Sequence, residues 1–252
     1  MKIGQIFSKN MRTKKAISGL ILIGVAALAV SGLLIAAAPK PAQPERPANV
    51  VGFYTKNGQT IWIVPGGDID VTIGKYTPSQ LEALHPMAAV DEAKIVHSIP
   101  AESVIIDGVT YKPEDISVFN GKRLHFITGS DGNLYAFTTT EGLEEFIQKD
   151  LVKPQTIESN ATATDSIFYT DVWYAGESVG LQPGTGLADL SPVGFDNAIS
   201  SVKASPASSF TFLYDLPNYL GDSFAMQGGS NHSMLLFEGW NDRASSIYVS
   251  FF

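Results

Sequence analysis

The sequence predicts a mainly β protein: a repeated β unit at the C-terminal end, a small α+β region before it, and an apolar helix at the N-terminus. Three observations predict this. About ninety residues at the end repeat themselves at an offset of 45. Turn-forming Asn-Gly and Asp-Gly pairs separate short β-rich runs in the middle. Ala16 to Ala38 contains no charged residue. At 252 residues the chain suits one or two domains, and an apolar fraction of 44% allows a core of ordinary size. Cysteine is absent, which excludes a disulfide scaffold, thiolate metal sites and a Cys nucleophile.

Lys2, Lys9, Arg12, Lys14 and Lys15 precede the uncharged run. About 20 apolar residues span a bilayer, and a secretory signal has the same order of basic, apolar and small residues. Residues 1–38 are therefore a cleaved signal or a retained membrane anchor, and both readings put the rest outside the cytoplasm. Residues 39–48 hold Pro39, Pro41, Pro44 and Pro47, a Pro-rich linker that favours an extended spacer of roughly 30 Å. The charge follows the same division. The chain has 17 basic and 25 acidic residues, and six of the basic ones lie in 1–40 with no acid. The remaining strongly acidic surface excludes nucleic acid as a partner.

Residues 49–150 predict a small α+β domain without evident chemistry. Asn57-Gly58, Asp107-Gly108 and Asn120-Gly121 are type I′ hairpin signals. A further hairpin joins Leu124–Thr128 to Leu134–Thr138. Thr77-Pro78-Ser79-Gln80 predicts a capping box, and Thr138–Glu141 caps a helix with Leu143, Phe146 and Ile147 on one face. His85, His97 and His125 show no metal-ligand spacing and read as ordinary surface or partly buried side chains. Residues 151–164 form a linker.

Residues 165–252 carry the repeat. Tyr169, Tyr174 and Gly176 correspond to Tyr214, Tyr219 and Gly221; Phe195 corresponds to Trp240. Asp196-Asn197-Ala198-Ile199-Ser200-Ser201 corresponds to Asn241-Asp242-Arg243-Ala244-Ser245-Ser246. Two copies are too few for a solenoid and suit a unit in which each completes the other's core. The Gly of each Tyr-x-x-x-x-Tyr-x-Gly permits a backbone turn closed to other residues, so the two rings can pack across a folded hairpin. Ser178 and Ser223 are expected to hydrogen-bond back onto that hairpin.

Tyr-x-x-x-x-Tyr-x-Gly followed by [Asn/Asp]-[Asn/Asp]-x-x-Ser-Ser, occurring twice, resembles the microbial calcium-binding βγ-crystallins. The resemblance implies a two-motif Greek-key sandwich of eight strands with two Ca2+ sites. It implies ligands from Asp196, Asn197, Ala198 and Ser200 in one loop, and from Asn241, Asp242, Arg243 and Ser245 in the other. Ala198 and Arg243 would give carbonyls, as would Thr170 and Asp215 of the partner hairpins. Ser201 and Ser246 are expected to be structural. The chemistry is suitable, since Ca2+ takes six to eight hard oxygen ligands and neither loop supplies enough alone. With about one carboxylate per site, affinity should fall at roughly 10⁻⁵–10⁻³ M. If the second loop position is the ligand, Asp242 should make the tighter site.

The leading expectation is an exported or membrane-tethered Ca2+-binding protein without catalytic activity. A secreted peptidase inhibitor of the same fold is the alternative, its partner a protease; its best exposed loop is Gln227–Glu238. An envelope adhesion or scaffold protein with an extracellular protein partner is the third. Gly176-Glu177-Ser178-Val179-Gly180 matches the G-x-S-x-G elbow but lacks the strand-turn-helix context. His232 has no orienting acid in its sequence neighbourhood.

Overall fold

The computed structural model describes residues 46–151 and 165–251. The expected helix within 1–38, most of the Pro-rich linker and nearly all of the second linker lie outside them. Among the described residues, no helix is long and apolar enough to cross a membrane.

The repeat supplies eight strands: β8 (Ser166–Asp171), β9 (Ala175–Leu181), β10 (Thr185–Leu187) and β11 (Ser201–Lys203), then β12 (Phe210–Leu216), β13 (Leu220–Gln227), β14 (Asn231–His232) and β15 (Ser246–Val249). They form two sheets, ordered β14-β11-β8-β9 and β10-β15-β12-β13. Each copy thus lends its third strand to the other copy's sheet, as the Greek-key expectation requires. Phe195 and Trp240, at matching positions, are fully buried between the sheets.

Residues 49–150 supply β1 (Gly52–Lys56), β2 (Gln59–Ile63), β3 (Thr72–Ile73), α1 (Pro78–Leu84), α2 (Ala89–Glu92), β4 (Val104–Ile106), β5 (Val109–Tyr111), β6 (His125–Thr128), β7 (Leu134–Phe137) and α3 (Thr140–Phe146). They do not stand apart as the expected separate domain. β1-β2 extends the first sheet beyond β9, while β6-β7-β4-β5 extends the second beyond β13 and β3 caps its opposite edge. The described residues cluster as one unit. The physical reason is size. Hairpins of three to five residues cannot bury a core alone, and a sandwich edge offers unpaired backbone groups that they satisfy. Ile63, Val104, Ile106 and Phe126 accordingly share a core with Phe168, Val179, Leu213 and Ile247.

The local expectations held where turn chemistry alone decides. Asn57 and Gly58, at φ 52 and 74, turn β1 into β2; Asp107 and Gly108, at φ 46 and 85, turn β4 into β5. The β6–β7 hairpin forms, and Thr77 makes the capping box with Gln80. Asn120-Gly121 is no hairpin. Asn120 caps the 3₁₀ helix Pro113–Phe119 at φ −52, and Gly121 N–H donates to Ile95 O at 2.9 Å. The intended second strand is preceded by a helix rather than a strand, so there is nothing to pair.

Candidate metal centre

Each hairpin turn is built by the same residues. Tyr169 and Tyr174 meet edge-to-face at 5.8 Å, and Tyr214 and Tyr219 at 5.6 Å. Gly176 and Gly221 adopt φ 79 and 77. Ser201 Oγ donates to Asp171 O and accepts from Tyr174 N–H; Ser246 Oγ donates to Leu216 O and accepts from Tyr219 N–H. These serines, and not Ser178 and Ser223, lock the hairpins. Ser178 N–H donates to Thr55 Oγ1 at 2.6 Å, and Ser223 Oγ pairs with His125 Nδ1 at 2.9 Å. Both therefore fasten the added edge strands β1 and β6, a role visible only once those strands are in place. Gly176–Gly180 runs within β9, so the apparent elbow has no turn.

The two Asp/Asn loops lie against one another across the pseudo-two-fold. Asn197 N–H donates to Ala244 O at 2.9 Å, and Asp242 N–H donates to Ile199 O at 3.0 Å. Both residues have φ 52, the left-handed conformation that Asn and Asp accept most readily. Ser200 Oγ donates to Asp242 Oδ1 at 2.7 Å, and Ser245 Oγ donates to Asp196 Oδ1 at 2.5 Å. Each pair joins a buried hydroxyl of one loop to an exposed carboxylate of the other.

Thr170 and Asp215 sit where the hairpin registers shift, at matched bulges. Their side chains do the same work. Thr170 Oγ1 accepts from Glu177 N–H at 3.0 Å, and Asp215 Oδ1 from Asp222 N–H at 2.7 Å. Asn241 Nδ2 donates to its neighbour Asp242 Oδ2 at 2.6 Å. Among the described residues, no three His, Asp or Glu side chains converge as a metal cluster. The donor set is instead one carboxylate and one hydroxyl per pair, with amides and carbonyls around them. That set fits a hard cation such as Ca2+ and does not fit a softer metal. The acid brought to Ser245 is Asp196, from the first loop position, while Ser200 meets Asp242, from the second. Each pair thus holds one carboxylate, from the second loop position in one and from the first in the other.

The Arg243 side chain leaves the loop for a buried ion network. It stacks over Trp240 at 4.6 Å and pairs with Asp215 and Asp222. His97 Nδ1 donates to Asp222 Oδ2 at 2.8 Å, and His97 Nε2 to Phe119 O at 3.0 Å. Two acceptors require both ring protons, so His97 is an imidazolium and the four side chains sum to zero charge. Burial is the largest single influence and opposes that charge, but the hydrogen bond and charge of Asp222 together with the Phe119 carbonyl outweigh it, and the His97 pKa is raised. Burial also opposes the Asp222 charge; His97 and Arg243 outweigh it, and its pKa is lowered. Asp215 is pushed up to about 6 by burial and by the neighbouring Asp222. His97 is not the ordinary surface or partly buried histidine expected from sequence, and neither is His125, which burial pushes down to about 4. His85 is exposed, as expected. His232 does have an acid, since its Nδ1 lies 3.0 Å from Glu238 Oε1. The loop Gln227–Glu238 is held by β14 and by buried Leu235, so it is not a free extended segment.

Part of this chain is similar to solved structures. The likeness is to βγ-crystallin domains. A domain described under the evolution of the eye-lens βγ-crystallin fold is 24% identical, with a TM-score of 0.34, covering 38% of this chain and 94% of that one. A βγ-crystallin from Ciona intestinalis is 22% identical, with a TM-score of 0.30, covering 34% and 99%. A βγ-crystallin domain from Clostridium beijerinckii is 26% identical, with a TM-score of 0.29, covering 34% and 97%. No family model matches the chain, and no curated protein does. The βγ-crystallin likeness named from the motifs is thus the one found among solved structures, and it extends over about a third of the chain.

Proposed function

We propose that the βγ-crystallin-like part of this chain binds two Ca2+ ions between its paired loops, and that the ions stabilise an exported or membrane-tethered, non-catalytic protein. The observation that supports this most is the pair of cross-loop contacts, Ser200 with Asp242 and Ser245 with Asp196. Two loops that each supply a carboxylate and a hydroxyl to the other are suited to an ion that needs both. Asn197, Asn241 and the carbonyls of Ala198, Arg243, Thr170 and Asp215 would complete the oxygen shells. Bound calcium would also relieve the acidic excess of residues 165–252, where nine acids face Lys203 and Arg243 alone.

Thermal melting of the full chain with Ca2+ and with chelator tests the reading. At about fifty times the dissociation constant the expected gain is roughly 2 kcal/mol, read as an upward shift in Tm. Asp196→Asn and Asp242→Asn should each remove one phase of a calorimetric Ca2+ titration. An unchanged Tm at millimolar Ca2+ removes the proposal.

A further inference from the structure

The two copies share one backbone at the tips of their hairpins but carry different side chains there. Trp173 and Asn218, at matching positions, both enter the left-handed region, at φ 60 and 63. Each N–H then reaches the same place in the other copy: Trp173 donates to Ser233 O at 2.7 Å, and Asn218 to Ala188 O at 2.6 Å. Asparagine adopts this backbone readily, whereas for tryptophan it costs about 1 kcal/mol. Packing does not return that cost, because Trp173 is 66% exposed. Ser233 opens the segment that carries Leu236 and Phe237, exposed by 59% and 60%. The positions matching these two in the first copy are Ser191 and Pro192. The fold is therefore satisfied by Asn, Ser and Pro at one tip and presents Trp, Leu and Phe at the other.

We propose that Trp173, Leu236 and Phe237 form a contact tip that seats in the interfacial layer of a lipid bilayer. The three side chains expose on the order of 400 Å², about half of what one partner buries in a stable protein–protein interface. A second copy would not be held by so small a patch. The tip is exposed and apolar with two aromatic rings, the chemistry that tryptophan brings to the headgroup level. Beside it, Lys203 lies 4.5 Å over the Tyr174 ring. Among the described residues of the repeat, Lys203 is the basic side chain not paired with an acid, and it suits a lipid phosphate. A weak contact suffices if the chain is tethered by Ala16–Ala38, since tethering raises the effective concentration to about millimolar. That clause rests on the tethered reading; the tip itself does not.

The test uses the full chain in a Trp62→Phe background with phosphatidylcholine vesicles, plain or with acyl chains brominated near the headgroup. Flotation reads the tether, and bromolipid quenching reads the tip. Brominated vesicles should quench the Trp173 emission at least twofold, while buried Trp240 stays unquenched and reports an intact fold. Trp173→Phe should remove the quenched component, and Leu236→Ser with Phe237→Ser should reduce quenching several-fold with Trp173 retained. A chain that floats with vesicles but shows no bromolipid quenching overturns the tip and leaves the tether. A chain that neither floats nor is quenched at millimolar lipid overturns both. Trp173 becoming buried only on concentration-dependent dimerisation, or only with a bound protease, also overturns it.

Discussion

The first Greek-key copy wears one covering layer and the second wears two. β8 alternates between buried and half-exposed residues, while Phe210 to Tyr214 in β12 are buried without interruption. The second sheet has the sandwich core on one face and α1 and α3 on the other, where Leu81, Leu143 and Ile147 pack on Phe212, Tyr214, Tyr219 and Tyr248. Lys203 in the first copy stands where Tyr248 stands in the second. Lys203 lies over the Tyr169 and Tyr174 rings, whereas Tyr248 joins Tyr219 edge-to-face and donates its hydroxyl to Gly74 O at 2.7 Å. The lesson is that one backbone plan tolerates an open or a closed outer face, and the sequence of each copy follows its cover.

The largest expected break in that comparison is at Asp222 against its counterpart Glu177. Asp222 is fully buried between His97 and Arg243, so Asp222→Ala should cost about 3–5 kcal/mol by leaving two buried cations short of an anion. Glu177 accepts only an exposed hydrogen bond, from Asn57 N–H at 2.8 Å, and Glu177→Ala should cost less than about 1 kcal/mol. Urea unfolding of both variants gives the difference.

The next effect is in pH. His125 lies under the second cover with its folded pKa depressed from 6.5 to about 4, so the unfolded chain gains a proton first as pH falls. Its contribution is complete above 6.5 and is lost between there and 4, on the order of 3 kcal/mol. His125→Gln should flatten that limb of the stability–pH curve. His97 has the opposite sign. Its raised pKa contributes fully below 6.5 and is lost as pH climbs through the raised value, so His97→Gln should flatten the alkaline limb.

A third comparison should show no difference. Ser201→Ala and Ser246→Ala each orphan a Tyr N–H and a carbonyl in the same hairpin geometry, and each should cost about 1–3 kcal/mol by denaturant unfolding. Unequal losses would mean that the covers, and not the hairpins, set the stability. The smallest effect is at the tips. Trp173→Asn should raise stability by at most about 1 kcal/mol, because it gives the first copy the residue that suits the left-handed turn.

What could be read from residues alone was whatever a short stretch decides by itself. The Asn57-Gly58 and Asp107-Gly108 hairpins, the Thr77 box and the two Tyr-x-x-x-x-Tyr-x-Gly turns depend on local dihedrals and neighbours a few residues away. The serines at 201 and 246, whose partners lie 27 and 30 residues away, were legible because the repeat doubled their signal. The Ser200–Asp242 and Ser245–Asp196 pairing was legible only as two loops; which acid meets which hydroxyl depends on how the loops cross. The roles of Ser178, Ser223, His97 and His125 left no local trace, since Thr55, His125, Asp222 and Ser223, the partners that define them, lie about 100 residues or more away. The sequence by itself determined the eight-stranded repeat and its turns. Only the tertiary structure decided that residues 49–150 are edges and a cover for that repeat, because strands too short to bury their own core are placed by the unpaired edges they find.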